Sequence, residues 1–173
     1  MFHIVGTNHD LQHDGQPCET SRREADKWRD RLRSHLLNLA GDIVAQATGP
    51  VIIAEELSEF YLRHKKAASV AQSVATELCI CHRFCDPDPE TRIALGLPLR
   101  TDDSYAPDLL RECYWLTCLL DVAKRDVLFV CGAAHVRSFS GLLRNRGIPV
   151  KVRAKYFGRC IFMTASTAKD AVS

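Results

Sequence analysis

The stretch VLFVCGAAHV (127–136) indicates how this chain folds. Its first half is a continuous apolar run with Asp126 before it and Gly132 after it. An apolar run that does not alternate with polar residues is typical of a strand buried on both faces, as in a parallel sheet. The short runs FHIVG (2–6) and VIIAE (51–55) have the same character, so we predict three buried strands.

Helical segments separate these strands. Apolar residues recur every three or four positions in four segments, at 19–47, 56–78 (with a break near Lys65), 106–124 and 135–147. Weaker strands are predicted at 80–84, 148–154 and 159–164. Strands that alternate with helices imply a mostly parallel sheet with helices on both faces. We therefore predict one α/β domain over residues 1–173, with residues 164–173 as a flexible C-terminal tail.

The composition is that of an ordinary globular protein, with 46% hydrophobic and 25% charged residues among 173. A formal net charge of +2 gives no strong attraction to nucleic acid or to an anionic membrane. The expected partner is a small-molecule substrate. No apolar run reaches the roughly 20 residues that span a bilayer, and the first residues do not resemble a secretory signal. We expect a cytoplasmic protein with eight reduced cysteines.

The segment CICHRFC brings Cys79, Cys81, His82 and Cys85 close together in sequence. Cysteine and histidine are the usual ligands of structural zinc, but such sites normally combine two ligand pairs separated by a dozen or more residues. The chain has no second cluster of this kind, so the sequence disfavours zinc at this segment.

Two apolar runs end in the same motif, G-x-x-H. The first contains Gly6 and His9, and the second contains Gly132 and His135. A glycine at the end of a strand lets the backbone turn sharply without a clash from a Cβ atom. We therefore expect both histidines to lie over the carboxyl edge of the sheet, where ligands bind in open parallel sheets.

Acidic residues follow the other strands, so the same edge can gather carboxylates and imidazoles. The predicted catalytic residues are His9, Glu55, Glu56 and His135. Two imidazoles and a carboxylate suit zinc, manganese or iron, and the predicted metal ligands are His9, Glu55 and His135. The same groups can act as general base and general acid without a metal, and the sequence does not separate these alternatives.

Further polar residues near this edge are candidates for substrate binding: Asn8, Asp86, Arg92 and Arg111. A guanidinium group can clamp a carboxylate or a phosphate of a substrate. The two arginines can instead pair with Asp86 or Glu112 within the protein, and this structural role is the simpler expectation.

Signatures of several enzyme classes are absent from the chain. It contains no G-x-G-x-x-G, no P-loop and no G-x-S-x-G elbow, which argues against dinucleotide binding, nucleotide hydrolysis and α/β-hydrolase catalysis.

The motifs VGTNH (5–9), IAEE (53–56) and CGAAH (131–135), with an arginine-bearing section between the last two, resemble those of a known superfamily. It includes erythromycin esterase, the ChaN-like lipoproteins and the TraB and TIKI membrane-associated proteases. The resemblance implies an α/β domain, often metal-dependent, whose centre is formed by both G-x-x-H motifs and by Glu55 or Glu56.

The leading hypothesis is a small, metal-assisted cytoplasmic hydrolase that cleaves an ester, amide or phosphoester bond. In it, His9 and His135 hold a divalent metal or polarise the substrate, and one of the two glutamates activates water. Arg92 or Arg111 binds an anionic group. The alternatives are a non-catalytic protein that binds haem or a nucleotide, and an interaction module or defence-system component.

Overall fold

The computed structural model describes residues 1–14, 22–98 and 109–158. Within these ranges five strands form one all-parallel sheet, in the order β3-β2-β4-β1-β5. The strands are β1 (Phe2–Thr7), β2 (Val51–Glu55), β3 (Cys81–Phe84), β4 (Asp126–Gly132) and β5 (Val150–Phe157). The predicted parallel α/β fold is confirmed. The predicted strand at 159–164 and the predicted tail at 164–173 lie outside the described residues.

Helices connect the strands as the sequence predicts. They are α1 (Arg22–Gln46), α2 (Glu59–Lys65), α3 (Val70–Glu77), α4 (Pro89–Ala94), α5 (Leu109–Leu119) and α6 (Val136–Asn145). Lys66 adopts a left-handed conformation with φ of 51° and ends α2, which accounts for the predicted break near Lys65. Asp88 caps the first turn of α4 by accepting a hydrogen bond from Thr91 N at 2.8 Å.

The sheet has an apolar core on each face. Because side chains alternate along a strand, Ile4 packs with Trp115 of α5 and Phe139 of α6, whereas Val5 packs with Leu36 of α1 on the opposite face. All five side chains are fully buried, and each contributes roughly 1.5–3 kcal/mol relative to an exposed position. Burial on both faces explains why these strands are continuously apolar.

The connections leave the sheet in two directions. Strands β1 and β2 continue through α1 and α3, which cover one face, whereas β3 and β4 continue through α5 and α6, which cover the other. Strand β4 lies between β1 and β2 in the sheet. The connection that leaves β4 therefore runs over one face, whereas those that leave its two neighbours run over the opposite face. In open parallel sheets such a point opens a crevice at the carboxyl ends of the strands, and ligands bind there.

None of the helices within the described ranges combines the length and the apolar character that crossing a membrane requires.

Candidate active site

Three side chains from three neighbouring strand ends meet at this crevice. His9 follows β1 in a short 3-10 turn, Glu56 follows β2 directly, and His135 ends a 3-10 turn that follows β4. One potential ligand atom from each lies within 4.8 Å of the others. Among the described residues this is the only group of three or more His, Cys, Asp or Glu side chains close enough to hold a metal ion.

The glycines of the two motifs make close approach possible rather than a sharp turn. Gly132 has ordinary φ and ψ of −58° and 139°, and Gly6 does not have a positive φ. A Cβ atom at Gly132 would overlap Nε2 of His9, and one at Gly6 would overlap the Val136 side chain and lie 2.5 Å from the carbonyl oxygen of Lys155. The prediction that each glycine is needed for a sharp backbone turn is therefore wrong, because both glycines are needed for close packing.

The Glu56 carboxylate lies at the centre of the group and is buried. Its Oε2 accepts a hydrogen bond from the backbone N–H of Gly132 at 2.6 Å. Its Oε1 lies 3.6 Å from Nε2 of His9 and 3.5 Å from Nε2 of His135. The Arg111 guanidinium pairs with the same oxygen at 2.7 Å, although the contact lacks hydrogen-bond geometry.

Glu55 lies apart from this group, because consecutive side chains of a strand point to opposite faces. Its Oε1 accepts a hydrogen bond from the Ser69 hydroxyl at 2.5 Å and lies 2.7 Å from Nε2 of His82. The structure therefore replaces Glu55 with Glu56 as the carboxylate that accompanies His9 and His135. His82 of the CICHRFC segment is thus paired with Glu55. In the same segment Cys85 is buried, and burial raises the pKa of its thiol.

The two histidines have different surroundings. The His9 side chain is 51% exposed, whereas that of His135 is 8% exposed. Nδ1 of His135 lies 2.8 Å from Oε1 of Glu112, and the Trp115 ring packs edge-on at 5.0 Å. Burial lowers the pKa of His135, but the hydrogen bond to Glu112 and the charge of Glu56 outweigh it, so the pKa is raised.

Arg111 and Arg92 meet at Asp86. Arg111 Nε donates to Oδ1 of Asp86 at 2.5 Å, and Arg92 Nη2 donates to Oδ2 at 2.7 Å. Burial raises the pKa of Asp86, but these two ion pairs outweigh it and hold the pKa below its usual range. The other nitrogens of Arg92 donate to the carbonyl oxygens of Pro87 and Pro98. Asp86 and both arginines are thus engaged within the protein, in the structural pairing given above as the simpler expectation.

Asn8, the remaining predicted substrate-binding residue, caps the turn that carries His9. Its Oδ1 accepts a hydrogen bond from Asp10 N at 3.1 Å, and its side chain is neither buried nor fully exposed. Asn8 therefore positions His9 through the backbone.

Glu112 and Ser138 are not among the site residues that the sequence predicts, where Glu112 is expected only as an ion-pair partner for arginine. Ser138 Oγ donates to Oε1 of Glu112 at 2.5 Å, so both residues join the site through His135. Glu112 does not follow a strand, which is why the strand-end argument misses it. The available signal was its position on the apolar stripe of α5, three and four residues before the buried Trp115 and Leu116.

Comparison with known proteins gives no relative. No protein-family model matches the chain, and neither a curated protein nor a solved structure matches it. The resemblance of the motifs to the esterase and protease superfamily thus stays a prediction.

Proposed function

We propose that this protein is a hydrolase that cleaves an ester, amide or phosphoester bond, and that His9, Glu56 and His135 hold a divalent metal ion. The observation that carries the proposal is the arrangement around one oxygen. Nε2 of His9 and Nε2 of His135 lie 3.6 and 3.5 Å from the same buried Oε1 of Glu56.

These distances suit a metal ion. Ligands that bind at about 2.0–2.1 Å in a tetrahedron lie about 3.4 Å from one another. Two imidazoles and one carboxylate form a known ligand set of catalytic zinc and leave a position open for water or substrate. The same donor types also accept manganese or iron.

The charge around the centre also favours a cation. Among the residues that the structure describes, three largely buried carboxylates, those of Glu56, Asp86 and Glu112, lie beside two buried guanidinium groups, those of Arg92 and Arg111. With neutral imidazoles the set carries a net charge of −1, so a cation would offset an unbalanced buried charge.

The residues around the centre have different roles in this proposal. His9 lies at the exposed rim, where a substrate from solvent would meet it first. Glu56 and His135 would bind the metal ion from the buried side of the centre. Arg111 and the backbone of Gly132 fix the position of the Glu56 carboxylate. A bound divalent ion would supply Lewis-acid activation of water and of the oxygen of the scissile bond.

The test combines metal content with turnover. We expect elemental analysis of the purified protein to find one divalent metal per chain, and a panel of chromogenic esters, amides and phosphodiesters to include a substrate. Glu56→Gln should lower both metal content and turnover, the latter by about 100-fold or more. Glu55→Gln is the matched control, because it changes the neighbouring carboxylate on the other face and should keep metal and turnover.

Three outcomes would contradict the proposal. Equal losses of metal and turnover in Glu56→Gln and Glu55→Gln would show that Glu56 has no specific role in metal binding or catalysis. Turnover that survives complete chelation would assign acid–base chemistry to His9 and His135 without a metal. An absorbance band of bound haem, with no turnover in the panel, would favour the non-catalytic alternative.

A further inference from the structure

The first turn of α5 brings a second carboxylate to the centre. Glu112 is buried, and its Oε1 lies 2.8 Å from Nδ1 of His135 and 2.5 Å from the hydroxyl of Ser138. Arg111, the preceding residue, pairs with Glu56 on the other side of the His135 ring. The His135 imidazole therefore lies between two carboxylates, Glu112 at Nδ1 and Glu56 at Nε2.

A neutral imidazole carries one ring hydrogen, so the two carboxylates compete for it. Glu112 lies within hydrogen-bond distance at 2.8 Å, whereas Glu56 Oε1 lies 3.5 Å from Nε2, beyond a normal hydrogen bond. An ionised carboxylate only accepts, so this contact requires the hydrogen to be on Nδ1. Nε2 then presents its lone pair toward the centre.

We infer that Glu112 is a positioning residue that fixes the tautomer and the ring orientation of His135, with Ser138 orienting the Glu112 carboxylate. Ser138 donates to the same oxygen from the first turn of α6, three residues after His135. The effect of Glu112 on metal binding and turnover rests on the proposed function, whereas its effect on the tautomer does not. Carboxylates that accept from the second nitrogen of a histidine ligand generally strengthen metal binding in this way.

The experiment reads the ring nitrogens directly. Histidine 15N correlation spectra of the metal-free chain, at a pH that deprotonates the ring, should show the hydrogen of His135 on Nδ1. In Glu112→Ala, which removes the side-chain acceptor at Nδ1, we expect the Nε2–H tautomer to become dominant, because Glu56 is then the remaining carboxylate acceptor. His9, whose ring does not contact Glu112, is the internal control and should not change.

Metal affinity is the second readout. Titration with zinc alone should give a Kd that is 10- to 100-fold weaker in Glu112→Ala than in the unmodified chain, as a rough expectation for loss of such a partner. Ser138→Ala keeps the carboxylate beside the imidazole, so it should keep the Nδ1–H tautomer and change the Kd only a few-fold. Thermal unfolding of each variant shows whether the chain remains folded.

A purely structural role for Glu112 would lower the melting temperature and leave the tautomer unchanged, and this result would overturn the inference. A tautomer change in a chain that binds no metal and hydrolyses nothing would support it while the proposed function fails. If the unmodified chain binds metal and turns over substrate, but the Glu112 variant keeps the tautomer of His135, the proposed function stands and the inference about Glu112 fails.

Discussion

The two G-x-x-H segments have the same spacing but different structures. In the first, His9 is the exposed residue of a turn that is otherwise partly or fully buried, so its ring faces solvent; in the second, His135 is buried and packs against Glu112 and Trp115 of α5. Their glycines differ as well. The space beside Gly6 is filled by the backbone of β5 and by Val136, whereas the space beside Gly132 is filled by the ring of His9.

The difference shows that the two motifs are parts of one site rather than two copies of a site. The glycine of the second motif leaves room for the histidine of the first, and its N–H holds Glu56 between the two rings. A motif repeated in sequence therefore produces two complementary halves, one accessible at His9 and one buried at His135.

Alanine at the two glycines should produce opposite defects. Gly6→Ala places a methyl group against the backbone oxygen of Lys155, which cannot move freely, and should cost about 3 kcal/mol of unfolding free energy or prevent folding. In Gly132→Ala the nearest atoms to the new methyl group belong to the exposed His9 ring, which can turn away, so the cost should be less than about 1 kcal/mol. Turnover should fall about 100-fold or more in Gly132→Ala.

Urea unfolding and kinetics on the two alanine variants measure both effects. Gly141→Ala is a matched control, because a Cβ atom at this helical glycine meets no atom within 4 Å. Similar stability losses at Gly6 and Gly132 would contradict the contrast between a backbone neighbour and a flexible one.

Removal of each histidine should separate stability from activity. His135→Ala leaves Glu112 and Glu56 without their shared partner in the interior and should cost about 2–4 kcal/mol. His9→Ala removes an exposed ring and should change the unfolding free energy by no more than about 0.5 kcal/mol. Both variants should lose metal and turnover. A His9→Ala protein that unfolds as easily as His135→Ala would contradict the assignment of His9 to the accessible half.

The fold was predictable from the sequence because its signals are local. The apolar runs at β1, β2 and β4 lack alternation since both faces are buried, and this is visible without coordinates. The convergence of strand ends then followed from the geometry of parallel sheets, and it placed His9 and His135 together.

The remaining details depend on side-chain direction and on contacts between distant segments. Glu55 and Glu56 are equivalent in sequence, and only the register of β2 decides which one faces the histidines. Glu112 comes from a helix, so no rule about strand ends finds it. The roles of Gly6 and Gly132 depend on neighbours that are far away in the chain.

Two buried histidines should give pH dependences of opposite sign in the metal-free chain. Burial, with Lys65 and Arg29 nearby, lowers the pKa of His13 to about 4. The unfolded chain then binds more protons than the folded chain between about pH 6.5 and 4, so stability should fall as the pH falls through this window. His135 has a raised pKa, so its contribution is present below about pH 6.5 and is lost as the pH rises through the folded value.

Urea unfolding across this pH range measures both contributions. The His13 contribution is about 2 kcal/mol, after allowance for solvent screening of a shift of this size. His13→Asn should reduce the acid-side loss, to which His3 and His35 also contribute because burial lowers the pKa of both, and it should leave the alkaline-side loss. His135→Gln should remove the alkaline-side loss and leave the acid-side loss. An unchanged acid limb in His13→Asn would show that another group controls it.

The smallest effect is expected at Asn8, which carries the accessible half of the site. Its side chain accepts from Asp10 N, so Asn8→Ala should cost about 1 kcal/mol and loosen the turn that holds His9. We expect turnover to fall only a few-fold, and Asn8→Asp to restore both stability and turnover, because aspartate keeps the accepting oxygen. If Asn8→Asp restores the melting temperature but not turnover, the amide group of Asn8 binds substrate. The accessible half would then supply substrate recognition in addition to the His9 imidazole.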